Sequence, residues 1–414
     1  MTFVVFVAPR LSRNAAQMIE AAATLPDVQL GVITQDTAES APPGLMAHVA
    51  AHWRVEGVLD AGQLLGAVRA LADKHGQPTR LFGAYEQLQV PLAEVRAQLG
   101  LHGMSVEAAL NFRDKSRMKD VLRAAGIPVA RHALAGTEEE AWRFATQVGS
   151  ALVLKPPAGA GAQATYRVSS ADELRTVLAR VAPTPVQPVL LEEFITGEEH
   201  SLETVSIAGH PVWHSLTRYY PTPLEVIENP WIQWCVVLPR ETNALQYADI
   251  RATGDRALRA LGMWTGLTHM EWFRRRDGSL AISEVAARPP GAQITTLISR
   301  ANDVDFVQAW ARIMICGTFE PPVQKYAVGA AFLRGQGSGR VKAVHGLEQV
   351  QREVGGLIVD ANLPAPGHTP TGTYEGEGYI IVRHPETSCT LVGDLADLGL
   401  VTALLSLGAL ETSG

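Results

Sequence analysis

The sequence predicts a multi-domain α/β (α+β) protein, and three observations carry that expectation. The chain is 414 residues long, more than one core usually holds, and is 47% hydrophobic against 19% charged. Its first hundred residues alternate short apolar runs with helical periodicity, the mark of βαβ units and a parallel sheet. Further along, two apolar runs flank Asp277-Gly278, a hairpin signal that adds antiparallel pairing. A net charge of -7 and a pI near 6.0 argue against nucleic-acid binding. No stretch approaches eighteen uninterrupted apolar residues, so no membrane span is expected. The opening MTFVVFVAPRLSRN lacks a basic leader region and reads as a first buried strand. Three widely spaced cysteines (Cys235, Cys316, Cys389) exclude a disulfide framework or a CxxC metal site, and point to a reduced, cytoplasmic protein.

In chain order, Phe3–Ala8 reads as a strand, Asn14–Leu25 as a helix, Gln29–Thr34 as a strand and Asp60–His75 as a helix. The loop Pro9-Arg-Leu-Ser-Arg has no glycine and no GxGxxG, so this segment reads as a scaffold and substrate-side unit. Asp114–Ala125 carries Met118, Val121, Leu122 and Ala125 at helical spacing and stops at Gly126, with Pro128 beyond. Capping boxes at Thr137–Glu140 and Ser170–Glu173 open two more helices. Between them lies the strand Ala151–Lys155, followed by the small-residue loop Pro156–Gln163. The Pro-rich Ala182–Pro188 is a connector, and Val189–Ile195 a strand ending at Thr196-Gly197. Trp213–Pro239, rich in Trp, Pro and Tyr, reads as irregular; a helix at Ala248–Leu261 then leads into the hairpin. A mixed α/β segment follows from about Lys325 and closes with an apolar helix near Asp394–Leu407. Three domains are expected: 1–110, 111–322 and 323–414.

The hairpin is the most informative feature. Centred on a two-residue turn at Asp277-Gly278, it places Glu271 directly opposite Glu284, Phe273 opposite Ile282 and His269 opposite Ala286. Facing glutamates with Cβ atoms about 5 Å apart repel unless something compensates. Such a pair suits a hard divalent cation that keeps water and phosphate oxygens as its other ligands, as Mg²⁺ does. Arg288, held by Pro289 and Pro290 just beyond, is a planar donor suited to a carboxylate or an oxyanion. Lys155 at a strand end, directly before Gly159 and Gly161, offers an ammonium and an unhindered backbone to phosphates, and Lys115 opens a helix. In the run Leu190-Leu-Glu-Glu-Phe-Ile195, backbone groups at Glu193 and Ile195 suit an adenine edge, and Glu199 suits a ribose.

Taken in order from Asn111 to about Ile315, these residues resemble the ATP-grasp superfamily. The resemblance implies an ATP-grasp fold with an N-terminal Rossmann-like unit and a small C-terminal mixed α/β unit. Two lobes would clamp ATP, with a lid at about 125–195. It implies phosphate-binding roles for Lys115 and Lys155, an adenine hinge at Glu192, Glu193, Phe194 and Ile195, and a ribose contact at Glu199. Glu271 and Glu284 would hold one or two Mg²⁺, or Mn²⁺, followed by Arg288 as the catalytic arginine. One departure is Ala286, where many members carry asparagine as a further metal ligand; either water completes the shell or His269 contributes. The run Glu-Val-Ala-Ala-Arg-Pro-Pro-Gly and Arg340-Val-Lys-Ala-Val-His-Gly look most like the L-amino acid (dipeptide) ligases and related carboxylate–amine ligases. The formate-using purine-pathway enzymes are close in pattern, whereas the Glu-His-Pro of biotin carboxylase is missing from Ala292–Val304.

The implied reaction is ATP-dependent amide formation through an acyl phosphate, on small-molecule carboxylate and amine substrates. The alternatives are a formate-dependent or other ligase of the superfamily, and a non-catalytic ATP-binding module. Specificity is expected in the Trp213–Pro239 segment, with His214, Arg218, Glu228 and Trp231 as candidates and His269 near the metal; Glu228 would suit an α-ammonium group. The Asp394–Leu407 helix and the N-terminal unit leave room for a homodimer.

Overall fold

The computed structural model describes residues 1–149, 151–159, 164–229, 232–336, 339–370, 373, 375–385 and 410–413. Gly161, Trp231 and the expected helix at Asp394–Leu407 lie outside the described residues.

The expected strands Phe3–Ala8 and Gln29–Thr34 become β1 (Thr2–Val7) and β2 (Val28–Thr34), and two short strands without an apolar run, β3 (Ala51–Arg54) and β4 (Arg80–Phe82), join them. They form a parallel sheet in the order β3-β2-β1-β4. Val4 to Val7 are buried to 0% exposure, as the continuous hydrophobic run of a two-sided parallel strand requires. Its helices start where capping chemistry says they should: Ser12 accepts from the Ala15 amide, and Asp60 from the amides of Gly62 and Gln63.

A second sheet, ordered β5-β8-β6-β7, is built from β5 (His132–Ala135), β6 (Leu152–Lys155), β7 (Tyr166–Val168) and β8 (Val189–Glu193). Helices Glu138–Val148 and Ala171–Val181 supply its core partners. Both capping boxes form: Thr137 accepts from the Glu140 amide while the Glu140 carboxylate accepts from the Gly136 amide, and Ser170 and Glu173 repeat the exchange.

The third and largest sheet runs through β9 (Gly197–Ile207), β10 (His210–Tyr220), β11 (Trp234–Leu238), β12 (Gly266–Arg275), β13 (Leu280–Ala286) and β14 (Ala327–Leu333). The chain then makes β15 (Gly335–Gln336), β16 (Arg340–Val344), β17 (Ile358–Asn362), β18 (Gly378–His384) and β19 (Leu410–Ser413). Eight strands, β13-β12-β9-β10-β11-β14-β18-β17, make the central antiparallel sheet; β15, β19 and β16 form a small one. The resulting mixture of parallel and antiparallel sheets is the α/β (α+β) class expected from sequence. No helix among the described residues is long and apolar enough to cross a membrane.

Two expectations are corrected here. Trp213–Pro239 is not irregular: it holds most of β10, the helix Pro223–Glu228 and all of β11. The alternation was disguised because Ser215 and Thr217 are buried, where Thr217 donates to the fully buried Glu203. Polar side chains on the inner face erase the apolar period of two on which a strand assignment rests.

The hairpin also differs in detail. Its connection has three residues, with the Gly278 amide donating to the Arg275 carbonyl and Gly278 at φ +82, so Phe273 pairs with Ala281 and not with Ile282. A β-bulge at Ser283 then inserts one residue and restores the expected pairs Glu271–Glu284 and His269–Ala286. The longer turn and the bulge shift the register in opposite directions and cancel at the glutamates.

Gly197 opens β9 where its chain passes the Arg274 carbonyl, and a Cβ at this position would lie 2.2 Å from that oxygen. Gly197→Ala is therefore expected to destabilise the protein by about 1–3 kcal/mol, the usual cost of overpacking, read as a lower midpoint in thermal or urea unfolding.

Candidate functional site

A cleft opens between β6 and β8 on one side and the β12–β13 hairpin on the other. Lys115, Lys155, Glu192, Glu199, Glu271 and Glu284 all line it. Lys115 is the first residue of helix Lys115–Ala124, whose N-cap Asp114 accepts from the Ser116 and Arg117 amides. Its Nζ lies 2.9 Å from Glu284 Oε1 and donates to the Gly159 carbonyl at 2.9 Å. Lys155 ends β6 and reaches Glu192 Oε1 at 3.1 Å.

The same Glu192 oxygen lies 2.7 Å from Lys119 Nζ, which also donates to the Ser283 carbonyl at the bulge, at 2.5 Å. Lys119 is fully buried, one helical turn beyond Lys115. Burial pushes its pKa down to about 8, opposed by Glu192. Burial alone would raise Glu192, but Lys119 and Lys155 hold it down at about 2. The Glu192 side chain thus pairs with the lysines, while the strand that carries it leads into Glu193–Ile195, the segment expected as the hinge.

His269 donates from Nδ1 to Glu203 Oε1 at 2.8 Å, and its Nε2 stands 3.6 Å from Glu271. Burial by itself would lower its pKa, yet the bonds and charges of Glu203 and Glu271 lift it to about 9. Glu203, at 0% exposure, also accepts from Ser201 at 2.6 Å and Thr217 at 3.1 Å. His269 thus stands beside Glu271 with its Nδ1 committed to Glu203 and its Nε2 on the side of the glutamate pair.

Burial would raise Glu271 as well, but His269, Lys155 and Lys115 bring it down to about 2. Glu199, half-buried near Glu271, is held well above the carboxylate range by desolvation and by that neighbouring charge. No group of three or more His, Cys, Asp or Glu side chains is arranged to hold a metal among the described residues. The site therefore offers two facing glutamates with a third carboxylate near them. That donor set fits Mg²⁺, which takes one or two carboxylates and leaves its other positions to water and phosphate.

At the hinge, the Glu193 carboxylate is held by Arg131 Nε and Arg275 Nη2, both at 2.7 Å, and its amide donates to the Arg131 carbonyl. The Ile195 amide, which also lines the cleft, has no hydrogen-bond partner among the described residues. Phe194 lies beneath the Arg167 guanidinium, 4.1 Å from its ring centroid.

Arg288 reaches the cleft from the turn after β13. Its Nε donates to Glu86 Oε2 at 3.3 Å and its Nη1 to the Pro289 carbonyl. Glu86 is 4% exposed and follows β4 of the N-terminal sheet; it also takes Arg113 at 2.9 Å, which in turn reaches the Gly159 carbonyl.

His214, Arg218 and Glu228 do not line the cleft. His214 bonds Thr204 and Asp255, and Arg218 packs on Tyr247, both beneath helix Ala248–Leu261. They occupy the other face of β10 from Tyr219, which does line the cleft, together with Trp234.

Lys119, Glu203, Glu86, Tyr219 and Trp234 were missed in the sequence. Only Lys119 left a trace there: it interrupts the apolar stripe of Met118 and Leu122, where a charged side chain must be either exposed or paired.

Residues 120–302 match the family model of the ATP-grasp domain. The L-arginine-specific L-amino acid ligase of Bacillus subtilis is 25% identical over 226 residues, 53% of this chain and 54% of that protein. The alanine–anticapsin ligase of Bacillus subtilis strain 168 is 24% identical over 247 residues, 55% of this chain and 52% of that protein. The chain thus spans about half the length of these relatives. Among solved structures, the L-amino acid ligase from Bacillus licheniformis has a TM-score of 0.72 at 19% identity, covering 96% of this chain and 97% of that one, so the two share a fold.

Proposed function

We propose, from the premise that this chain carries an ATP-grasp domain, that it is an ATP-dependent carboxylate–amine ligase. It joins a small-molecule acid to an amine, with amino acids as its substrates, and releases ADP and phosphate. The observation that carries this reading is the convergence of Glu271, Glu284, Lys115 and Lys155 on one cleft, bounded by the Glu193–Ile195 hinge and by Arg288.

The acid's carboxylate oxygen attacks the γ-phosphorus of ATP, the bond to the bridging oxygen breaks and ADP leaves. The amine nitrogen then attacks the acyl carbon. The C–N bond forms, the C–O bond to phosphate breaks, and the amine gives up a proton. Lys115 and Lys155 draw charge from the phosphates, while the Ile195 amide and Glu193 carbonyl orient the adenine. Arg288, clamped by Glu86, orients the acid and offers N–H groups to the oxyanion that develops at its carbon. Glu271 and Glu284 are the residues to hold magnesium, which when bound neutralises charge on the transferring phosphoryl group. No side-chain nucleophile is required.

The test is ADP and phosphate release over a panel of acid–amine pairs, with mass spectrometry of the products. Release that depends on both an acid and an amine supports the ligase. Dependence on formate or bicarbonate moves the chain to another ligase class, and tight ATP binding without turnover moves it to a binding module. Because Arg288 is held through Glu86, Glu86→Ala is expected to raise KM for the acid about tenfold, with a smaller rise in KM for ATP because Arg113, the other partner of Glu86, reaches the Gly159 carbonyl, as initial-rate kinetics would show.

A further inference from the structure

The cleft has two apolar ends separated by its charged middle. One end is the hinge. The other is formed by Tyr219, Leu224, Trp234, Ala292 and Ile294, and Arg288 stands beside it. The two ends belong to different cores: Ile195 and Phe273 pack with Ala130 and Ala281, whereas Tyr219, Trp234, Ala292 and Ile294 belong to the core shared by the central and N-terminal sheets. We infer that this second end receives the side chain of the acid substrate, and that the acid is one with an apolar side chain, bound with its carboxylate on Arg288. This inference rests on the ligase reading and narrows its substrate class.

The walls are largely apolar, and the Tyr219 hydroxyl among them is hydrogen-bonded to Ser201. Trp234 stacks between Tyr219, with centroids 5.9 Å apart, and Phe332, at 4.9 Å. The indole N–H is already spent on the Pro221 carbonyl at 3.1 Å, so its lining surface has no donor left for a polar side chain. Leu224 closes the end from the short helix Pro223–Glu228 and is half-buried. On Arg288, Nε and Nη1 are engaged by Glu86 and Pro289, and Nη2 has no hydrogen-bond partner among the described residues. One guanidinium nitrogen is thus left for a carboxylate.

The carboxylates of the lining, Glu271 and Glu199 among them, lie toward Tyr219, whose phenol is held well above its ordinary range by burial and by those charges. Glu375 accepts from the Ala292 amide at 2.9 Å and is not part of the lining. A charged or polar side chain packed against Leu224, Trp234, Ala292 and Ile294 would be desolvated with no free hydrogen-bonding side-chain group among those four to compensate. Each methylene placed against such walls is worth roughly a 10-fold or greater gain in specificity.

The experiment measures ADP release at one saturating amine with L-leucine, L-methionine, L-phenylalanine, L-lysine and L-aspartate as the acid. In parallel, L-leucine and L-lysine are titrated calorimetrically into protein saturated with Mg-ADP. The three apolar acids are expected to show kcat/KM at least about 10-fold above lysine and aspartate, and leucine to bind more tightly than lysine. Leu224→Asp is expected to shift the leucine-to-lysine ratio about 10-fold or more toward lysine, and Leu224→Ala to weaken leucine alone. A preference for charged acids, or a ranking untouched by Leu224→Asp, overturns the inference. Should no acid drive ADP release, the ligase reading fails by itself. The calorimetric ranking then decides the pocket: tighter leucine sustains it, and equal or weaker leucine removes it.

Discussion

Glu284→Gln is expected to lower acid-dependent ADP release by at least about 10²–10³-fold, with Glu271→Gln close behind, while unfolding midpoints stay near that of the wild type. The scale is what loss of one preorganised electrostatic group at a developing charge usually costs. Both substitutions keep the shape of the side chain, and glutamine at 284 can still accept from Lys115, 2.9 Å away. What they remove is formal charge on one of the two facing glutamates that we propose hold a divalent cation. A magnesium titration reads this directly: each variant should need a higher magnesium concentration for half-maximal rate. Wild-type turnover at wild-type magnesium in either variant would take the metal site away from the hairpin.

Lys119→Met should produce the largest loss of stability, about 3–5 kcal/mol, a drop in Tm on the order of 10 °C. The side chain is fully buried, and Glu192 beside it is buried too. Removing Lys119 leaves that carboxylate to Lys155 alone and orphans the Ser283 carbonyl at the bulge. Adding Glu192→Gln should recover part of the loss, since the uncompensated charge goes with it. The pair also sets a pH dependence. Glu192 is near 2 when folded against 4.5 as its ordinary value, so the unfolded chain takes up its proton first. Its contribution is present above pH 4.5 and is lost as pH falls through about 2. Thermal unfolding from pH 6 to pH 3 should therefore fall less steeply in the Glu192→Gln variant.

The glutamate pair shows how much was legible in the sequence and by what route. Alternation and Asp277-Gly278 were enough to set Glu271 against Glu284. That pairing survives because a three-residue connection and the bulge at Ser283 offset each other. Turn length is a local signal and was misread by one residue. The bulge had no local signal, because the Ser283 carbonyl finds its partner in Lys119, 164 positions away in the chain. The side of β10 that faces the cleft was not legible for a related reason. Its inner-face Ser215 and Thr217 are polar, so the hydrophobic pattern could not show that Tyr219, and not Arg218, turns toward the cleft.

The amino-acid sequence determined the strands and helices with strong periodicity, the capping boxes at Thr137 and Ser170, and the order of lysines, hinge and glutamates along the chain. Each of these is encoded within a few residues, where periodicity and cap chemistry act. Tertiary structure alone decided which charges meet: Lys119 with Glu192, His269 with Glu203, and Glu86 with both Arg113 and Arg288. Such pairs join residues up to 202 positions apart, and their strength comes from burial that exists only once the sheets have packed. No local pattern announces a partner that distant, so the electrostatics of the cleft are a property of the fold.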